Sequence, residues 1–210
     1  MQVKDEPSPA AAARRAQIVT AAIEVLADLG YARTSFARIA ERAGISSTRL
    51  ISYHFAGKDD LMRAVAAEVL GEAEAFMSPR IRAATGHWNM LRAYIASNLE
   101  FLRDHPAHLR ALTEVIANLR AEDGSLAAGA PGAPDAVARL ADGLRAGQRD
   151  GAFRDFDAGV MARTLRAAID AAAGLYSADP GLDLDHYAAE LVSLFGLAVL
   201  GREPGEGEPA

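Results

Sequence analysis

Apolar residues recur along this chain at intervals of three and four, the spacing that keeps one face of an α-helix buried, and no stretch alternates as a half-buried strand would. A first helix is expected over 13–29, with Ile18, Ala22, Val25, Leu26 and Leu29 on one face. Gly30, free to take positive φ, ends it. A short second helix follows Thr34, whose hydroxyl is placed to cap it, and carries Phe36, Ile39, Ala40 and Ala43 at i, i+3, i+4 and i+7. Gly44 breaks that helix, and Ser46 can cap a third that reaches about Phe55. A long fourth helix starts near Lys58, with Leu61, Val65, Val69, Ala73 and Phe76 in one stripe. Helical patterns then cover about 87–104, 106–121, 134–149, 157–176 and 184–200. Pro106 suits a first helical position, where a missing N–H costs nothing. The stretch 122–134, with three glycines and two prolines, is the main internal loop. The expectation is an all-α chain: a disordered arm over 1–12, a three-helix domain over 13–60, a larger helical domain over 61–202 and a solvated tail over 203–210.

Composition narrows the function classes. Half of the 210 residues are hydrophobic and 24% are charged, enough for a sizeable core. Abundant alanine with only 6% aromatics favours helices over a β-sandwich. The absence of cysteine excludes disulfides, thiolate zinc sites and cysteine nucleophiles. The first residues lack the apolar segment of a signal peptide. The longest apolar run, 191–200, is about half the length that spans a bilayer. A soluble, cytoplasmic protein without a membrane partner is expected.

Charge at first argues against a nucleic-acid partner, because the net value is −6. Its distribution argues the reverse. Residues 10–58 hold seven bases (Arg14, Arg15, Arg33, Arg38, Arg42, Arg49 and Lys58) against three acids, a balance of +4 that leaves −10 for the rest. A basic quarter on an acidic body is the asymmetry of a small module that meets an anionic polymer.

The segment from Phe36 to Ser46 gives that module a shape. Two short helices meet at Gly44, with Ala40 where their axes cross and Ile39 and Ile45 pinning the corner from the core side. A larger side chain at Ala40 would push the helices apart, and a residue other than glycine at Gly44 would strain the turn. This is a helix-turn-helix, whose second helix can enter the major groove of DNA.

From 13 to about 61 the chain resembles the tetracycline-repressor (TetR) family of transcriptional regulators. The resemblance is carried by Gly30-Tyr31, Thr34-Ser35-Phe36, Ile39-Ala40, Ala43-Gly44-Ile45-Ser46, Tyr53-His54-Phe55 and Gly57-Lys58-Asp59-Asp60-Leu61. It implies a ligand-responsive regulator, most often a repressor, that binds an inverted-repeat operator in double-stranded DNA as a homodimer and is released by a small-molecule effector. It implies neither enzymatic activity nor a cofactor. It further implies that Tyr53, His54 and Lys58 clamp the DNA backbone, that the last two helices pair with their copies in a four-helix interface, and that helices four to seven enclose an effector pocket.

One departure affects the third helix. From Gly44 to Phe55 the chain is one residue longer than the family's usual spacing, which leaves two registers. Counting from the turn makes Leu50 inward and Thr48 and Ser52 outward. Counting back from Phe55 makes Ile51 and Phe55 inward and Arg49 and Tyr53 outward, and this register is preferred because Phe55 then closes the small core. Arg49 is the only long cation on this helix and suits a bidentate contact to guanine O6 and N7. Ser46, Ser47, Thr48, Ser52 and Tyr53 can donate to phosphates, and the short hydroxyls also to base edges. Lys58 opens the fourth helix, where its ammonium and the first free N–H groups would hold a phosphate. Thr34 and Ser35 stand equivalently before the second helix. For Tyr53 and His54 the competing reading is packing in a small core.

In the body, candidate polar pocket residues are Trp88, Tyr94, Asn98, His108, Glu114, Asn118 and Tyr176, each also readable as an ordinary surface or core residue. His105 and His108 with Glu114 do not amount to a metal site, since histidines three apart beside a helix start are common. The helix over 184–200 is apolar nearly all round, so Leu191, Leu194, Phe195 and Ala198 either meet a second copy or sit in a central core helix. Asp170, among alanines, is either solvent-facing or a buried acceptor. The expected effector is neutral or cationic and largely hydrophobic, unless an arginine on the pocket segments (Arg92, Arg103 or Arg110) points inward and reverses the preference. The rival classes are an all-helical enzyme and a helical adaptor with a basic protein-binding head. Against the enzyme stands the lack of a phosphate-binding glycine loop, a nucleophile elbow, paired Glu-x-x-His motifs and a dinucleotide fingerprint.

Overall fold

The computed structural model describes residues 8–119 and 133–201, with side chains from 136 onward in the second stretch. Among the described residues the secondary structure is helical, without a strand. Helix α1 (Pro9–Leu29) begins where Ser8 accepts a hydrogen bond from the Ala11 N–H, with Pro9 in the first position. It therefore starts four residues before the expected 13. The Ala/Pro-rich composition that suggested a disordered arm concealed a serine cap followed by proline. The rest of that arm, the tail over 203–210 and most of the loop over 122–134 lie outside the described residues.

A 3-10 turn (Tyr31–Arg33) leads to α2 (Phe36–Arg42), α3 (Thr48–His54), α4 (Lys58–Ala83), α5 (His87–Asp104), α6 (Pro106–Asn118), α7 (Ala133–Arg149), α8 (Ala158–Ala178) and α9 (Leu184–Leu200). The caps are not where the sequence suggested. Ser35, rather than Thr34, caps α2 by accepting from the Arg38 N–H, and Ser47, rather than Ser46, caps α3. Asp157 and Asp183 cap α8 and α9 in the same manner.

The described chain forms two compact units, which do not follow the expected division at 60/61. The first comprises 8–70 and 107–119, so the start of α4 and nearly all of α6 join the small N-terminal domain. Its core is built from Ile18, Ala22 and Leu26 of α1, Ile39 of α2, Ile51 of α3 with Phe55 behind it, Leu61 and Val65 of α4, and Ala111 and Val115 of α6, each at most 2% exposed. The corner between α2 and α3 takes the expected form. Gly44 has φ 65°, Ala40 is buried, and the Ile45 N–H donates to the Ala40 carbonyl at 2.8 Å.

The second unit comprises 71–106 and 133–201. Helix α5 packs on α9, α7 and α8, and α7 packs on α8, burying Ile95, Leu99, Leu144, Leu165, Ile169 and Val199. The connection after α7 is tied down by Arg154, whose N–H donates to the Val199 carbonyl and whose Nε donates to the Ala198 carbonyl. Phe153 is buried against Gly147, where any Cβ would collide with its ring.

Two stability outcomes follow from these packings. Ile51→Ala removes a fully buried side chain and should cost about 2–5 kcal/mol by chemical denaturation, with Leu50→Ala costing clearly less because Leu50 is only half-buried. Gly147→Ala would stabilise an open helix by up to about 1 kcal/mol; here the ring of Phe153 reverses the sign, and a melting curve should show a lower Tm than the wild type.

Candidate nucleic-acid interface

Helix α3 is only seven residues long, and one side of it is sealed into the core. Ile51 and Phe55 point inward and Leu50 is half-buried, so the register counted back from Phe55 is the one adopted. The opposite side presents Thr48, Arg49, Ser52 and Tyr53 to solvent, with Ser46 and Ser47 exposed in the preceding turn. Ser47 Oγ accepts from the Arg49 N–H at 3.2 Å, and the Ser52 hydroxyl donates to the Thr48 carbonyl at 3.3 Å. Tyr53 is 80% exposed and contributes nothing to the core; its ring meets that of half-buried His54 edge to face. The core-packing reading of Tyr53 is thereby overturned.

Two expected contact residues are engaged elsewhere. Thr34 is 4% exposed, and its hydroxyl donates to the Gly30 carbonyl at 2.8 Å, so it closes the turn before α2 instead of facing a ligand. Ser35 keeps its place at the start of α2 and is exposed. Lys58 is half-buried; its Nζ lies 2.7 Å from the Tyr31 carbonyl and 3.8 Å from the centre of the Tyr31 ring. That burial lowers its pKa below the usual lysine value, against the opposing effect of Asp59. Asp59 and Asp60 occupy the first turn of α4, and Asp60 accepts from the Ala56 N–H. The helix start expected to hold a phosphate already carries two carboxylates.

Pairing also sorts the basic excess. Arg42 binds Asp28 at 2.7 Å and Glu24 at 3.1 Å, and hydrogen bonds to those carboxylates raise its pKa. It fastens α2 to α1 and adds no net charge. Arg33 donates to the Leu29 carbonyl. The guanidinium groups of Arg38 and Arg49 have no ion-pair partner among the described residues, and Arg15 lies over the Phe55 ring at 4.8 Å. All three are exposed. Arg15 and Arg38 were not among the expected contacts; the sequence signal for Arg38 was its place three residues after the cap Ser35, on the open side of α2.

The seven expected pocket residues do not form one cluster. Glu114 belongs to the N-terminal unit, where its carboxylate accepts from the Tyr31 N–H at 2.6 Å, and Asn118 donates to the Glu114 carbonyl on its own helix. In the second unit Tyr94 and Asn98 do come together, around a residue the sequence reading missed. Arg166 of α8 donates to Asn98 Oδ1 at 3.0 Å, reaches the Tyr94 hydroxyl at 3.4 Å, and pairs with Asp170 at 2.7 Å. Asp170 is the solvent-facing alternative of the two considered. Arg166 itself keeps a raised pKa, since attraction to Tyr94 and Asp170 outweighs the large desolvation that opposes it. Trp88, His108 and Tyr176 are half-buried. Two open grooves flank α5: one of about 550 Å³ lined by Arg80, Thr85, Asn89, Arg92 and Glu100 among others, and one of about 270 Å³ that includes Arg92, Leu99, Asp185 and Val192. None of the seven lines either groove.

The expected dimer residues divide by burial. Leu191 and Phe195 are buried within their own unit and belong to its core, because α5 already covers that side of α9. Leu194 is 60% exposed, Ala198 is half-buried, and Leu197 on α9 and Val160 and Leu175 on α8 add exposed apolar surface. Among the described residues, no helix is long and apolar enough to cross a membrane.

Residues 18–65 match the family of bacterial regulatory proteins described as tetR. Over 88 residues the chain is 34% identical to the HTH-type transcriptional regulator BetI 1 of Chromohalobacter salexigens, covering 41% of this chain and 43% of that one. It is 38% identical to BetI of Paraburkholderia xenovorans over 88 residues, which are 41% of this chain and 45% of the relative. The chain thus spans under half the length of these curated relatives. Solved structures resemble more of it. SmeT, the repressor of the Stenotrophomonas maltophilia multidrug efflux pump SmeDEF, superposes with a TM-score of 0.70 at 25% identity, over 93% of this chain and 96% of that one. FadR of Bacillus subtilis, in complex with stearoyl-CoA, shares the fold with a TM-score of 0.69 at 20% identity, over 90% of this chain and 99% of that one. The matched segment coincides with the capped corner and the exposed face of α3, and over that module the chain is similar to the tetR family of bacterial regulatory proteins.

Proposed function

We propose that the protein is a transcriptional regulator that binds an inverted-repeat DNA operator as a homodimer and is released by a small molecule. The observation that carries the reading is the exposed row of Thr48, Arg49, Ser52 and Tyr53 on α3, held in register by Ile51 and Phe55. Exposed Arg15 and Arg38 add cations that the protein itself does not neutralise, as contacts to a phosphate backbone require. In the reading, Arg49 addresses a base edge, Ser46, Ser47, Thr48 and Ser52 supply short hydroxyl contacts, and Ser35, Tyr53, His54, Arg15 and Arg38 hold the backbone.

The exposed apolar residues Leu194, Leu197, Val160 and Leu175 support pairing of α8 and α9 with a second copy, which would place two α3 helices on one duplex. Ligand responsiveness draws support from the second unit, where Arg166, Tyr94 and Asn98 group three polar side chains inside a helical bundle. FadR, which shares the fold, holds stearoyl-CoA. Arg166, which was not among the arginines considered, places a guanidinium beside Tyr94 and Asn98, and an acidic effector would compete there with exposed Asp170. The favoured effector is an apolar molecule with a carboxylate or similar acceptor aimed at that guanidinium.

Three outcomes test the reading. Arg49→Ala should cost about 1–3 kcal/mol on the cognate duplex and relax preference at one base pair per half-site, whereas Arg38→Ala should weaken all sequences and reduce the salt slope by about one unit. Equal losses on cognate and random DNA for Arg49→Ala would remove its base-reading role. Sedimentation should give a dimer for the native protein and a monomer for Leu194→Arg, since a charge in a dry interface lacks a partner; a native monomer at micromolar concentration contradicts the assembly. In a thermal-shift screen of matched acids, amines and neutral analogues, the acids should be the compounds that both stabilise the protein and release DNA. Release by amines alone contradicts the role of Arg166.

A further inference from the structure

The 3-10 turn between α1 and α2 has Gly30 as its N-cap, and glycine offers no side chain for the first free N–H of the turn. Glu114 of α6 takes that role from 83 residues away, with Oε2 placed 2.6 Å from the Tyr31 nitrogen. Gly30 has φ 73°, and a Cβ there would stand 3.3 Å from the same oxygen, so the glycine both allows the turn and admits the carboxylate. Tyr31 is tied on its other sides as well. Its carbonyl accepts from Lys58 Nζ at 2.7 Å, its hydroxyl donates to Asp59 at 3.2 Å, and its ring lies under the Lys58 ammonium. The Thr34 N–H also donates to the Tyr31 carbonyl at 3.2 Å. The next residue, Ser35, caps α2, and α2 carries α3 through the buried corner at Ala40.

We propose that Glu114 is a positioning residue for DNA binding: by capping the Tyr31 turn from α6, it sets the entry of α2 and hence the presentation of α3. The inference rests on the reading of α3 as the DNA-contacting helix. A carboxylate on a backbone N–H is a strong, directional bond. It is not what docks α6, because Ala111, three residues before Glu114, and Val115, one after it, are fully buried in the shared core. Removing the carboxylate leaves α6 in place and loosens the N-terminal end of the turn, whose carbonyl side stays tied to Lys58. The turn then samples several positions, of which binding must select one, and apparent affinity falls by the fraction that remains competent.

The test compares wild type, Glu114→Gln, Glu114→Ala and Glu114→Met on two probes: a duplex selected by the wild-type protein from a random-sequence pool, and a random duplex of equal length. Glutamine can still accept from the Tyr31 N–H, whereas alanine and methionine cannot; methionine keeps the volume and serves if alanine does not fold. The expected result is an affinity for the selected duplex lower by about 5- to 30-fold for alanine and methionine, with glutamine within about threefold of wild type. Affinity for the random duplex should stay unchanged in all variants. Wild-type affinity in the methionine variant, equal losses on both duplexes, or a glutamine variant as weak as methionine would each overturn the proposal. If the wild-type protein selects no duplex, the DNA-binding reading itself fails, and the positioning role fails with it.

Discussion

The joint burial of Ile51 and Phe55 is the constraint on which the orientation of α3 depends. A seven-residue helix has too few turns to be stable alone and is held by what it buries. Once these two side chains enter the core with Ile18, Leu26, Ile39 and Leu61, the rotation of α3 has no freedom left. Arg49, Ser52 and Tyr53 face outward as a consequence. The turn after Gly44 ends at Ser47, which caps α3, and the buried pair sets the register that follows.

Around that anchor, pairing decides which charges remain available. Arg42 is used up by Glu24 and Asp28, and Lys58 is folded back onto Tyr31, while Arg15, Arg38 and Arg49 stay exposed. A basic balance in sequence overstates the cationic surface whenever some bases staple helices together. The surplus that survives lies on α1, α2 and α3, the elements that the corner brings together.

Much of this was legible in the sequence, and what was not has identifiable causes. Helical periodicity located α5 and α9 to the residue, because Asp183 and the glycine at 201 punctuate α9 and Gly86 and His105 flank α5. The start of α1 was missed because its Ser8-Pro9 cap lies in an alanine-rich stretch with no apolar stripe. Thr34 and Ser35 are both competent caps, and only the turn geometry chooses between them. Glu114 was taken for a pocket residue because its partner is a backbone N–H far away in sequence, which no side-chain pattern records. Arg166 was overlooked among small residues of α8, since its inward direction follows from how α5 packs against that helix. Leu191 and Leu194 look alike in sequence; the side of α9 covered by α5 separates core from surface.

The most direct test of the central claim is to ask which residues touch the bases. Native protein is bound to a duplex that it has selected from a random pool, with 5-iodouracil replacing thymine one position at a time, and is irradiated and digested. Position-dependent adducts are expected within residues 46–54, the segment that presents Thr48, Arg49 and Ser52. Adducts confined to residues 133–201, or spread evenly over the chain and independent of the substituted position, would contradict that claim.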